Sequence, residues 1–103
     1  MAKDLKISYL LECYGKLLTE KQFRVVDMYY NEDLSLAEIA EIEEITRQGV
    51  RDFLIKAEAQ LNELEGKLHL LEKVRLLNEF LNRQEYDKVS EHLNRFFSDW
   101  EAK

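Results

Sequence analysis

The stretch LSLAEIAEIEEITRQGVRDFLI, residues 34–55, carries the pattern that decides the fold. Ser35 with Glu38 three positions later is the pattern of a capping box, and Thr46 can cap a second helix. After each cap, apolar residues recur three and four positions apart, which places them on one helix face. These residues are Leu36, Ile39 and Ala40 in the first segment and Val50, Phe53 and Leu54 in the second. The stretch therefore predicts two short helices joined by a tight turn.

Polar side chains occupy the other face at the start of the second helix. Once the apolar residues are turned inward, Arg47, Gln48 and Arg51 point outward. This is the arrangement of a helix-turn-helix, whose second helix presents its first side chains to the DNA major groove. Arginine can pair with guanine and glutamine with adenine through two hydrogen bonds, whereas Thr46 suits a phosphate. The alternative interpretation is a solvated first turn. The predicted nucleic-acid-binding residues, phosphate partners included, are Thr46, Arg47, Gln48, Arg51, Lys21, Arg24 and Lys56.

The composition of the whole chain favours one helical domain. Its 103 residues are 46% hydrophobic and 35% charged, which is typical of a folded protein. The chain contains no proline and only three glycines, whereas strands and hairpins usually need both residues at their turns. We therefore predict an all-α fold in a single domain, residues 1–103, with a helix-turn-helix core at about 19–57 and a helical extension at about 58–103.

The charge of the core favours a second hypothesis about function. The chain has a net charge of −6, and residues 19–57 hold five basic and nine acidic side chains, a net −4. A nucleic-acid-binding protein usually carries a basic face. The acidic balance therefore favours, as the alternative, a protein–protein adaptor that keeps the helix-turn-helix fold without binding DNA.

Further helices are predicted on both sides of the core. An apolar stripe at about residues 5–18 predicts the first, and Gly15 falls off that stripe. We interpret Gly15 as solvent-facing rather than as the mark of a close helix approach. A second capping box, Thr19 with Gln22, begins the next helix. The apolar periodicity then predicts that the fourth helix continues to about residue 82, before a last helix completes a hairpin. That helix runs from about Glu85, with apolar residues Tyr86, Val89, Leu93, Phe96 and Trp100.

A row of leucines follows the core with alternating gaps of three and four, as in a coiled-coil heptad. The row is short for an isolated coiled coil, so two interpretations stay open. In one, it packs on the first or last helices of the same chain. In the other, it is the seam of a homodimer, whose residues are Leu54, Leu61, Leu64, Leu68 and Leu71.

No pattern of an enzyme or a cofactor site occurs in the sequence. His69 and His92 lie far apart without nearby residues at metal-ligand spacing, and no glycine-rich phosphate loop is present. The single cysteine, Cys13, lies on the apolar stripe of the first helix and is interpreted as a core residue. No stretch reads as a signal peptide or a membrane span. We expect a cytoplasmic protein without enzymatic activity, catalytic residues, metal, cofactor or membrane insertion.

Three runs carry a resemblance to a known family. They are YLLECYGKLLTEKQ (residues 9–22), DMYYNEDLSLAEIAE (27–41) and TRQGVRDFLIKAEAQLNELEGKLHL (46–70). The chain resembles the YlxM family of small helix-turn-helix proteins over roughly residues 8–71, and region 4 of bacterial sigma factors from Leu18 to about Leu68. The resemblance implies an all-α fold, a DNA-binding or regulatory role, and a link to the signal recognition particle pathway. It also implies the recognition-helix positions Thr46, Arg47, Gln48, Arg51 and Asp52.

The turn departs from the usual helix-turn-helix pattern. Glu43 and Glu44 stand where an apolar residue followed by glycine or asparagine is common, and both acidic groups would lie near phosphates in a docked complex. Glu44 then either takes an ordinary helical or bridge conformation, or enters the left-handed region at a cost of about 1 kcal/mol. We expect a DNA-binding regulatory protein that acts as a homodimer. In the adaptor alternative, the partner is a component of protein targeting or transcription.

Overall fold

Helices make up most of the part of the chain that the structure describes. This computed structural model describes residues 4–101, apart from the side chains of residues 96, 97 and 99–101, so the predicted positions of Phe96 and Trp100 lie outside it. Six α-helices and one 3₁₀ turn, Gly15–Leu17, occur in residues 4–101, with no strand. The predicted all-α fold is confirmed. The helices are α1 (Leu5–Tyr14), α2 (Glu20–Tyr30), α3 (Leu36–Glu43), α4 (Arg47–Leu68), α5 (Leu70–Asn82) and α6 (Tyr86–Glu101).

The described residues divide into two compact units. The N-terminal unit runs up to His69 and the C-terminal unit begins at Leu70. The N-terminal unit contains α1 to α4 and the helix-turn-helix, whereas the C-terminal unit is the hairpin of α5 and α6. The single domain over residues 1–103 stays a prediction.

Side-chain caps set the starts of α2, α3 and α4. Thr19 accepts a hydrogen bond from the backbone N–H of Gln22, and the Gln22 side chain accepts one from the N–H of Thr19, both at 3.1 Å. Ser35 and Glu38 make the same reciprocal pair at 3.1 Å. Thr46 Oγ1 accepts from the N–H of Gly49 at 2.9 Å. The predicted caps are confirmed, and each contributes on the order of 1 kcal/mol to the stability of its helix.

Helix α4 lies at the centre of the N-terminal unit. It packs against α1, α2 and α3, and its apolar face is buried between them. Fully burying one such side chain contributes roughly 1.5–3 kcal/mol. The largest fully buried side chains are Leu10, Val25, Val26, Ile39, Val50 and Leu61.

Gly15 marks a close contact between two elements. It is buried, and a Cβ atom added to it would come within 2.7 Å of the Phe23 ring on α2. A distance under 3 Å leaves no space for that atom. The interpretation of Gly15 as a solvent-facing glycine is therefore wrong, and the close approach is the correct alternative.

The fourth helix ends earlier than predicted. Helix α4 stops at Leu68, and His69 adopts the left-handed conformation with φ 53° and ψ 30°. The N–H of His69 still bonds to the carbonyl of Glu65 at 2.9 Å, so the last turn of α4 is complete where the helix ends. The prediction of one helix to about residue 82 is wrong. The apolar spacing continues across His69, and so the periodicity contains no sign of the break.

The row of leucines is divided between the core and the surface. Leu54 and Leu61 are 6% and 0% exposed within the single chain, so the chain's own helices already cover these two members of the proposed seam. Leu64 is half-buried, Leu68 is exposed and Leu71 is buried. The proposed seam therefore fails as one continuous dimer surface, because Leu54 and Leu61 have no exposed area for a second copy. Whether the protein forms a homodimer stays a prediction.

Candidate nucleic-acid interface

The turn between α3 and α4 is closed by a left-handed residue. Glu44 has φ 56° and ψ 44°, and its N–H bonds to the carbonyls of Ala40 and Glu41. The N–H of Ile45 also reaches the carbonyl of Ala40, at 3.0 Å. This is the six-to-one hydrogen bond of a Schellman cap, a motif that usually has glycine at the left-handed position. Of the two conformations expected for Glu44, the structure has the costlier one.

Burial of one face of α4 sets the direction of its first polar side chains. Val50 is fully buried and Leu54 nearly so, whereas Arg47, Gln48 and Arg51 are exposed. Residues three and four apart share a helix face, so the buried pair fixes the rotation of the helix. The outward direction predicted for the three polar residues is therefore present in the structure.

Two arginines at the start of α4 carry free charge. Arg47 and Arg51 are exposed, and within residues 4–101 neither takes part in an ion pair. They lie four residues apart, about one helical turn, and so share one face. Lys56, further along α4, is exposed as well. These side chains can approach a phosphate without first breaking a contact within the protein.

Gln48 is held by a neighbour on its own helix. Its amide Nε2 donates to Oδ1 of Asp52 at 3.0 Å, one turn further along. Both side chains are exposed, so the bond is in contact with water and costs little to exchange. Gln48 can therefore reach a base edge after releasing Asp52. The acidic group remains close to the same surface.

Arg24 is neutralised by Glu43, which lies on α3. The Arg24 guanidinium donates from Nε to Oε2 of Glu43 at 3.2 Å and from Nη2 to Oε1 at 3.0 Å. The Arg24 side chain is 51% exposed, whereas that of Glu43 is only 9% exposed. The hydrogen bond from Arg24 holds the pKa of the Glu43 carboxyl below its ordinary value, and the charges of Arg24 and Lys21 add to the effect. Arg24 therefore offers less net charge to a phosphate than Arg47 or Arg51.

Lys21, on α2, reaches a side chain of α4. Its Nζ sits 5.5 Å from the centre of the Phe53 ring, within the range of a cation–π contact. Lys21 is half-buried, so part of its stem is covered. The contact joins α2 to α4. Lys21 and Arg24 thus both have roles inside the fold besides the predicted role at a phosphate.

The sequence did not reveal the pair between Arg24 and Glu43. The two residues are 19 positions apart on different helices, and no local spacing relates them. The sequence pattern places Glu43 as an acidic group facing phosphates, whereas its side chain is nearly buried against Arg24.

No helix among the described residues is long and apolar enough to cross a membrane.

Comparison with known proteins points to one family. Residues 1–98 match the family described as "Putative helix-turn-helix protein, YlxM / p13 like". The chain is 51% identical over 74 residues to a UPF0122 protein of Clostridium perfringens, strain SM101, a match that covers 72% of this chain and 66% of the relative. It is 41% identical over 102 residues to a UPF0122 protein of Clostridium kluyveri, with 92% of each chain covered. A UPF0122 protein of Oceanobacillus iheyensis is 44% identical over 98 residues, covering 90% of this chain and 92% of the relative.

Proposed function

The chain belongs to the YlxM / p13-like family of helix-turn-helix proteins, and from that premise we propose that it binds duplex DNA as a regulatory protein. One observation carries the proposal. Arg47 and Arg51 project together from the start of α4, exposed and outside any ion pair among the described residues. In a helix-turn-helix, this is the part of the second helix that enters the major groove.

Each polar residue of the interface has a role that suits its chemistry. Arg47 and Gln48 suit base edges, where two parallel hydrogen bonds identify guanine or adenine. Arg51 and Lys56 suit phosphates, and Thr46 can contact a phosphate while it caps α4. Lys21 and Arg24 add less, because each has a partner inside the protein. With so few free cations, binding is weak and strongly reduced by salt.

The charge of the N-terminal unit supports this expectation of weak binding. Residues 1–69 hold nine basic and fourteen acidic side chains, a net charge of −5. Negative charge away from the interface repels DNA. Salt screens this repulsion, so the repulsion is strongest at low ionic strength. Binding then depends on Arg47 and Arg51, which share one face of α4, and on Lys56 further along the helix. Removing two of these charges should therefore have a large effect.

Fluorescence anisotropy with labelled duplex DNA of random sequence tests the proposal. We expect the Arg47→Ala, Arg51→Ala double variant to lose most of its affinity and to show a salt dependence that is shallower by about 0.9, since Arg51 is assigned to a phosphate and each phosphate contact contributes a slope near 0.9. The Lys6→Ala, Lys16→Ala variant is the matched control, because it removes two exposed positive charges outside the interface. Equal affinity of the wild type and the arginine variant would exclude this surface.

A protein–protein adaptor is the second candidate function. The pairing of Arg24 with Glu43 favours the adaptor, because one predicted phosphate ligand is already paired with an acidic side chain of the protein. Its partner would be a component of protein targeting or transcription, and the link of the YlxM family to the signal recognition particle pathway makes the targeting apparatus the first to test. Failure to bind a heparin column at low salt, together with direct binding to a purified targeting component, would decide for the adaptor.

Three further features belong to the same proposal. The sigma-region-4-like form of the motif would place α4 in the groove with α3 across the backbone, as in other helix-turn-helix proteins. A homodimer would bring two such helices to half-sites about one DNA turn apart, roughly 34 Å. The protein would act by binding rather than by catalysis, without metal or cofactor, in the cytoplasm where bacterial DNA lies.

A further inference from the structure

The C-terminal hairpin carries uncovered apolar stripes. On α5, Leu70, Val74, Leu77 and Leu81 follow one another at gaps of four, three and four, and so lie on one face. On α6, Tyr86, Val89 and Leu93 follow at gaps of three and four. Leucine or valine side chains in such a row usually pack against another helix. The members Leu70, Val74, Leu81, Tyr86 and Leu93 are 43%, 50%, 48%, 61% and 41% exposed.

The ring contacts between α5 and α6 use side chains outside the stripes. Phe80 packs against the His92 ring edge-on, with ring centres 6.0 Å apart. Lys88 places its Nζ 5.8 Å from the centre of the same Phe80 ring. Phe80, His92 and Lys88 are not members of the stripes. The two helices therefore contact each other and still leave the stripes largely exposed to water.

The hairpin is also too small to form a core by itself. It begins at Leu70, and among its described side chains only Leu71 is buried. Units below about 40 residues usually need disulfides, a metal or oligomerisation to be stable. The only cysteine, Cys13, lies outside the hairpin, so no disulfide within it can form. Association of the exposed stripes with another helix would supply apolar burial that the hairpin lacks.

The distribution of charge identifies the partner. Residues 70–103 hold six basic and seven acidic side chains, a net −1, whereas residues 1–69 carry −5. Two copies of the chain repel each other through their N-terminal units but hardly at all through their hairpins. A nearly neutral surface with both signs interspersed fits a copy of itself better than a strongly charged partner. Self-association is therefore favoured at the hairpin and opposed elsewhere.

We propose that a second copy of the chain covers these stripes, so that two hairpins form an antiparallel four-helix bundle. Spacings of three and four are those at which helices pack about 20° from antiparallel in such bundles. The interface would be isologous, with the same residues contributed by each copy. It differs from a seam through Leu54 and Leu61, which are already buried within one chain. The inference does not depend on whether the protein binds DNA.

Light scattering and sedimentation of the full chain over a concentration series test this inference. We expect the mass of the wild type to double from the 12.3 kDa of one chain, and the Val74→Glu, Leu81→Glu variant to stay at 12.3 kDa. The matched control is Asn78→Glu, Asn94→Glu, which adds the same charge at exposed positions outside the stripes and should still dimerise. A monomeric wild type at every attainable concentration overturns the inference, as does a dimer that survives the stripe variant.

A second pair of variants separates loss of the interface from loss of folding. The Val74→Lys, Leu81→Lys variant should also be monomeric. Mixed with the glutamate variant, it should restore a particle of two chains, because opposite charges then face each other across the bundle. Circular dichroism gives the helix content of each variant before mixing. A mixture that stays monomeric although both variants are as helical as the wild type contradicts the pairing of these stripes.

Discussion

Arg24 and Glu43 form a bidentate ion pair that joins α2 to α3, with donor–acceptor distances of 3.0 and 3.2 Å. The pair occupies a cation that the sequence assigns to a DNA phosphate, and an acid that it assigns to the phosphate-facing side of the turn. The pairing changes the expected role of the arginine and that of the acid at the same time. The acid no longer faces DNA as a free charge, and the arginine no longer offers a whole positive charge. The net electrostatic effect on DNA therefore depends on Arg47, Arg51 and Lys56.

Replacing Glu43 by glutamine should strengthen binding to DNA. In Glu43→Gln, the Arg24 guanidinium is no longer balanced by a carboxylate, and it can neutralise one more phosphate. We expect a severalfold higher affinity at low salt and a salt dependence steeper by about 0.9. Anisotropy titrations at several salt concentrations measure both quantities. Glu41→Gln is the control, because it removes the same charge from an exposed position on α3. Equal effects of the two variants would show that only total charge matters.

Replacing Glu44 by glycine should stabilise the turn. Glu44 occupies the left-handed region, where a residue with a Cβ atom pays a cost that glycine avoids. The free energy of unfolding of Glu44→Gly should rise by roughly 0.5–1 kcal/mol. Chemical denaturation monitored by circular dichroism measures the change. Glu41→Gly, inside α3, should instead lower stability by about 1 kcal/mol. A loss of stability in both variants would contradict the role assigned to the conformation of Glu44.

Substitution by alanine should change the free energy of unfolding in opposite directions at Gly15 and Gly66. A Cβ atom at Gly15 would meet the Phe23 ring at 2.7 Å, whereas at Gly66, inside α4, nothing lies within 4 Å. Gly66→Ala should therefore raise the free energy of unfolding by roughly 0.5–1 kcal/mol through better helix propensity. Gly15→Ala should lower it by about 1–3 kcal/mol, because it overpacks the contact. Thermal and denaturant unfolding measure both changes.

A smaller side chain at position 23 provides the control for that contact. In Gly15→Ala, Phe23→Leu, the branched side chain occupies less space than the ring, so the cost of the added methyl group should be smaller than it is opposite phenylalanine. An effect of Gly15→Ala that is the same with phenylalanine and with leucine at position 23 would show that the ring is not the obstacle.

Tyr30 should make stability fall in alkaline solution. Burial raises the pKa of its phenol above the ordinary 10.0, and the hydrogen bond to Glu58 raises it further. A raised pKa in the folded state means that the contribution to stability is complete below pH 10.0 and is lost as the pH rises above it. Tyr30→Phe should lower stability near pH 7 by about 1 kcal/mol, through loss of the hydrogen bond, and should flatten the alkaline decline. Denaturation across that pH range provides the measurement, and an unchanged decline would contradict the assignment.

Local patterns in the sequence predicted the parts of the fold that depend on neighbouring residues. The caps at Thr19, Ser35 and Thr46 depend on hydrogen bonds over three positions, so the types and spacing of the residues suffice to predict them. The outward direction of Arg47 and Arg51 follows from the buried positions Val50 and Leu54 by helix geometry alone. The all-α class follows from composition in the same way.

Contacts between distant residues could not be predicted from these patterns. The helix break at His69 leaves no sign in the sequence, because a left-handed residue ends α4 while the apolar spacing continues on both sides. The contact of Gly15 with Phe23 depends on how closely the 3₁₀ turn Gly15–Leu17 approaches α2, which no local spacing specifies.

The sequence by itself determined that this chain is helical, where α2, α3 and α4 begin, and which side chains the start of α4 presents, since all of these follow from interactions within one or two helical turns. Only the tertiary structure decided which of those charges are free. Arg24 is paired with Glu43 from another helix, whereas no residue in the described part of the chain forms an ion pair with Arg47 or Arg51. It also decided that Leu54 and Leu61 are buried while the stripes of α5 and α6 remain exposed. Burial and pairing depend on which helices meet, and that depends on the packing of the whole chain.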